Sequence, residues 1–123
     1  MKHNLKYIVV HSTRTMPGEP HTEGAFHYII DRSGKAIKEK KLLEKDACLQ
    51  VAYVGGLNAE EKLTDTRNAV QTERLFNQLV SLSEKHPQAK IIGAGELFSK
   101  DQHPGFDVKK WLKEYVPDVL KAA

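Results

Sequence analysis

Residues 5–11 of this chain, Leu5-Lys6-Tyr7-Ile8-Val9-Val10-His11, form an apolar run rich in β-branched and aromatic side chains. Such a run reads as a central strand, which needs partners along its edges and a layer to bury against. The run closes on His11, and a second histidine, His103, stands before Pro104-Gly105-Phe106-Asp107 near the other end of the chain. A histidine ending a buried strand, matched by another on a constrained loop, is a common way to assemble a small open-sided metal site. Imidazole nitrogen suits zinc, and rigid elements fix the geometry. Taken alone, His11 also reads as a strand-end imidazole hydrogen-bonded to a backbone carbonyl.

At 123 residues the chain suffices for one domain, 1–123, with a single core covered by a few helices. A balance of 40% hydrophobic and 28% charged residues fits a soluble globular protein and argues against a disordered or fibrous chain. No apolar run approaches the roughly 20 residues of a membrane span. Met1-Lys2-His3-Asn4 leads into the strand pattern without the apolar core and cleavage site of a secretory signal, which points to the cytoplasm for the chain as expressed. The net charge of +3 is mild and no basic stripe is interleaved with aromatics, so nucleic acid is not an expected partner. Weak attraction to polyanionic cell-wall polymers is compatible with this charge. Cys48, the single cysteine, has no internal disulfide partner and reads as a small buried thiol.

The pattern runs strand, loop, hairpin, strand, loop, long helix, strand, loop, short helix: an α/β fold with a single mixed sheet of about five strands. Residues 26–31 alternate into the turn Arg32-Ser33-Gly34-Lys35 and a return strand over 36–38, a hairpin. Residues 48–54 make another strand, ended by Gly55-Gly56. Asn68, with Gln71 three residues on, is a capping-box pair that predicts a long helix over about 69–86, stopped by Pro87. Leu75, Phe76, Leu79, Val80 and Leu82 form the stripe expected to lie on the sheet. Residues 90–94 give the last strand and 108–115 a short C-terminal helix carrying Trp111 and Leu112 inward. His86, at the end of the long helix, is placed to meet its exposed carbonyls, and His3 lies in the terminal segment.

Four strings sharpen this picture. Ile8-Val9-Val10-His11-Ser12-Thr13-Arg14-Thr15, Phe26-His27-Tyr28-Ile29-Ile30-Asp31-Arg32-Ser33-Gly34, Tyr53-Val54-Gly55-Gly56-Leu57-Asn58 and His103-Pro104-Gly105-Phe106-Asp107-Val108 occur in this order, with Asp65-Thr66-Arg67 ahead of the long helix. Together, over about residues 7–111, they resemble the zinc-dependent N-acetylmuramoyl-L-alanine amidases, the group that includes phage lysozyme-type amidases and the peptidoglycan recognition proteins. The resemblance implies a sheet of five or six strands backed by helices, with a zinc cleft on one face. It makes His11 the first metal ligand and His103 the third, and sets His27 and Thr13 along the cleft.

The family's middle histidine falls on Ala94, within Gly93-Ala94-Gly95-Glu96-Leu97, and a methyl binds no metal. A functional tyrosine is replaced by Phe26 and a lysine by Asp101. The family's cleft-walling helix between Thr15 and Phe26 is a short loop here, and residues 42–48 are too few for its substrate-facing loop, so the groove is expected to be shallow.

Catalytic zinc holds water between three protein ligands and lowers its pKa toward about 7. If such a site is worth about 10 kcal/mol, losing one ligand costs roughly 3 kcal/mol, about two decades in affinity. Losing the lysine removes an oxyanion-stabilising charge, an effect of about 2.7–4 kcal/mol where a single donor is deleted. Glu96, Asp101 and His21 are candidate substitute ligands. Two functions follow: a catalytically silent relative that binds peptidoglycan fragments or a protein partner, or a working zinc amidase with a substitute third ligand.

Overall fold

The computed structural model describes residues 5–115; His3 lies outside them, as does the side chain of Asp101. Along the described chain run β1 (Tyr7–Ser12), β2 (Tyr28–Ile30), β3 (Ala36–Lys38), β4 (Cys48–Tyr53) and β5 (Lys90–Gly93), with helices α1 (Ala69–Lys85), α2 (Ala94–Leu97) and α3 (Val108–Glu114). The strands form one mixed sheet in the order β3-β2-β4-β1-β5. β1 pairs in parallel with β4 and β5, β2 in parallel with β4, and the hairpin partner β3 antiparallel with β2. The apolar run at the start of the chain is thus an internal strand, paired on both edges.

Strand alternation divides the core into two faces. Ile8 and Val10 of β1, with Leu49, Val51 and Tyr53 of β4, join Leu75, Leu79 and Leu82 of α1 in the main core. Val9 packs with Ile92 and Ala94, and Ile29 with Ala52, Val54 and Phe26, in two smaller clusters on the opposite face. Among the described residues no helix is long and apolar enough to cross a membrane.

The capping box forms as the sequence predicts: the Asn68 side chain accepts the Gln71 N–H at 2.8 Å and the Gln71 side chain accepts the Asn68 N–H at 3.1 Å. The stripe on α1 is narrower than expected, because one sheet face accepts only a limited arc of a helix. Val80 turns outward at 40% exposure, and Phe76 packs sideways on Trp111 and Tyr115. The place on the sheet goes instead to Gln71, fully buried. Its amide donates to the carbonyls of Ile30 and Val54 and accepts from the Arg32 guanidinium at 2.6 Å, so the polar group enters the core satisfied. Trp111 and Leu112 of α3 pack half-buried against the core.

Two short elements were not foreseen, α2 and a 3₁₀ turn at Lys100–Gln102. A single helical turn shows no apolar period, so only its local hydrogen bonds reveal it. Cys48 is half-buried rather than sealed, and burial pushes its thiol pKa up, which favours the protonated form.

Candidate functional site

The C-terminal ends of β1, β4 and β5 lie side by side, and the loops leaving them carry most of the candidate residues. His11 stands level with Ala52 in the β1–β4 pairing and faces away from α1. Its ring lies 4.8 Å from that of Phe26 and 5.9 Å from that of Phe98, stacked on the latter at 25°. Only 4% of the residue is exposed. Burial is the main cause that lowers its pKa to about 4, with a hydrogen bond to the Gln50 side chain opposing the shift, so the imidazole is neutral near pH 7. Its Nε2 is closed to solvent and finds no hydrogen-bond partner among the described residues, a defect that costs about 1–3 kcal/mol.

Ala94 opens α2 directly after β5 and is fully buried with Val9 and Ile92. Glu96 folds back so that its carboxylate accepts the Gly93 N–H at 2.8 Å, and it meets the Lys109 ammonium at 3.1 Å. The Gly93 hydrogen bond is the main reason its carboxyl is held below the usual range. The Phe98 N–H closes the turn on the Ala94 carbonyl at 2.9 Å, which brings Phe98 over His11.

His103 has a different setting. It is exposed, and its Nδ1 accepts the Gly105 N–H at 3.0 Å. The turn it begins is held by the Tyr53 hydroxyl, which donates to the Pro104 carbonyl. Burial raises the Tyr53 pKa to about 12, so this donor keeps its proton. Gly105 sits at φ +97°, and a Cβ there would meet the Thr64 backbone at 2.5 Å, so both conformation and space demand glycine. His103 lines a cleft of about 450 Å³ with Gly93, Glu96, Val108, Lys110 and Lys113, and His11 is not among its lining residues.

The remaining candidates disperse. His21 bonds Glu39 at 2.9 Å just past β3, at the sheet edge opposite β5. His27 is buried, accepting the Gln50 N–H on Nδ1 at 2.9 Å and reaching Asp46 from Nε2 at 3.4 Å. Burial lowers its pKa, and it stitches β2 to β4 rather than presenting a free ring. Thr13 accepts the Gly55 N–H at 2.9 Å and bonds Thr15, bracing the glycine loop after β4. Asp101 lies in the 3₁₀ turn. The sequence reading missed Phe98, for which no local motif gave a signal, and the role of Tyr53 in holding the Pro104 turn. It also missed the role of Arg67, which pairs with Asp65 and stacks 3.4 Å over Phe106.

A tetrahedral protein zinc site needs three or four convergent donors. Among the described residues no group of three His, Cys, Asp or Glu side chains converges, Ala94 offers a methyl, and Nε2 of His11 is closed off. The described residues do not fit the metal that the resemblance implies.

No protein-family model and no curated sequence matches the chain. Solved structures do match in fold. The Ph2119 endolysin from Thermus scotoductus MAT2119 bacteriophage Ph2119 superposes with a TM-score of 0.67 at 18% identity, covering 93% of this chain and 86% of that one. PGRP-SA of Apis mellifera, a peptidoglycan recognition protein, gives 0.58 at 10% identity, covering 93% and 84%. The chain therefore has the amidase and peptidoglycan-recognition-protein fold, the mixed five-stranded sheet expected from its sequence.

Proposed function

We propose that this domain recognises peptidoglycan fragments through the open cleft beside His103 and does not hydrolyse them. The observation that carries this is the environment of Ala94 and His11: the position where the resemblance calls for a metal-binding histidine is a methyl buried in an apolar cluster, and the neighbouring imidazole is sealed by aromatic rings. The fold shared with an endolysin and a peptidoglycan recognition protein supports the choice of ligand. Lys110 and Lys113 border the cleft and suit the carboxylates of stem peptides, while the exposed face of Phe98 suits the apolar face of a sugar ring.

Of the three substitute ligands on which the alternative, a zinc amidase, depends, two are engaged elsewhere, Glu96 by Gly93 and Lys109 and His21 by Glu39, which leaves it Asp101. A protein partner on the same surface is the other occupant to test. The deciding experiment incubates the full chain with purified muropeptides with and without added zinc, and measures binding by calorimetry and stem-peptide release by chromatography. Saturable binding without release is expected. Release would defeat the proposal, and so would the absence of binding.

A further inference from the structure

We infer that Phe98 and Phe26 occupy the space beside His11 that a metal would need, so that the metal site is closed by packing as well as by Ala94. The inference rests on the non-hydrolytic reading above and concerns how that state is built. A zinc ion sits about 2.0–2.1 Å from an imidazole nitrogen and carries further ligands around it. Nε2 of His11 is closed even to water. Whatever covers it has to leave before a hydrated ion and its other ligands can gather there; the Gln50 side chain bonds this imidazole, and the two rings packed against it are Phe26 and Phe98.

α2 is the device that puts Phe98 there. Glu96 folds back on the Gly93 N–H, the Phe98 N–H closes on the Ala94 carbonyl, and the aromatic side chain swings over the end of β1. The same turn keeps Ala94 fully buried beside Val9 and Ile92, so an imidazole at position 94 needs extra volume, which truncating Phe98 on this turn would supply. The two features are coupled: a chain with histidine restored at 94 still has its other ligand under a phenyl ring. Phe98 itself is 42% exposed, so it can be truncated without opening the main core.

The test uses the full chain as wild type, Ala94→His, Phe98→Ala and the double variant, with cobalt(II) as a spectroscopic probe and zinc in calorimetry. Ala94→His alone is expected to bind either ion no more than about threefold tighter than wild type, while the double variant gains about 100-fold, the two decades expected of a recovered ligand. Cobalt in the double variant should show the visible absorption of a tetrahedral centre. An independent readout is carbethoxylation of His11 by diethyl pyrocarbonate, located by peptide mass spectrometry: His11 is protected in wild type and reactive in Phe98→Ala, and this arm stands even if the histidine variants do not fold. The inference is overturned if Ala94→His alone binds as tightly as the double variant, if the double variant gains nothing, or if His11 of the wild type is already reactive. None of these results depends on hydrolysis, so muropeptide cleavage by the wild type would defeat the proposed function without deciding this point.

Discussion

His11 and His103, the two histidines that the resemblance pairs, have opposite physical characters. His11 is buried, neutral and packed between two aromatic rings. His103 is exposed on a turn fixed by a tyrosine hydroxyl and a glycine pressed against a neighbouring backbone. The turn has the rigidity that a ligand-holding loop needs, while the strand end is part of the core, so the proposed recognition surface lies on the rigid, open side.

The largest effect should come from breaking the rigid side. Gly105→Ala forces a Cβ into the Thr64 backbone at a positive φ and is expected to cost about 3 kcal/mol or more, read by urea denaturation. A loss under about 1 kcal/mol would mean that the turn relaxes freely and that the contrast with His11 is overstated.

The next test addresses the buried side through pH. The His11 pKa falls from 6.5 unfolded to about 4 folded, so below pH 6.5 the unfolded chain takes up the proton first. Stability is full above pH 6.5 and declines toward pH 4, by about 3 kcal/mol at 1.36 kcal/mol per unit. His27, lowered by the same cause, acts in the same direction. His11→Leu should flatten this slope; an unchanged slope would assign the acid sensitivity elsewhere.

A smaller effect is expected from Tyr53→Phe, which leaves the Pro104 carbonyl without its donor and should cost about 1–2 kcal/mol, with faster amide exchange at Gly105. Amide exchange as slow as in the wild type would show that Gly105 alone holds the turn. Smallest in stability is the pair Lys110→Glu and Lys113→Glu, within about 0.5 kcal/mol because both side chains are exposed. The same pair should weaken muropeptide binding several-fold and reduce its salt dependence; unchanged binding would move the recognition surface away from the His103 cleft.

Much of the architecture was legible because it is written in local patterns. Asn68 and Gln71 announced the start of α1, Gly34 the hairpin turn, and the run ending in His11 an internal strand. Val80 was misjudged because a stripe drawn on a helix does not say how wide a face the sheet will accept. Of the candidate site, the residue types at 11, 94 and 103 could be read, but their surroundings could not. Glu96 and His21 looked like available donors until their own partners, Gly93 with Lys109 and Glu39, came into view.

By itself the sequence determined the strands, the hairpin, the capped helix and the chemical identity of each candidate: imidazole at 11 and 103, methyl at 94. Only the tertiary structure decided that one imidazole is sealed and the other open. Desolvation and access are properties of packed neighbours, and those that seal His11 come from Phe26 and Phe98, brought together by the sheet from distant parts of the chain.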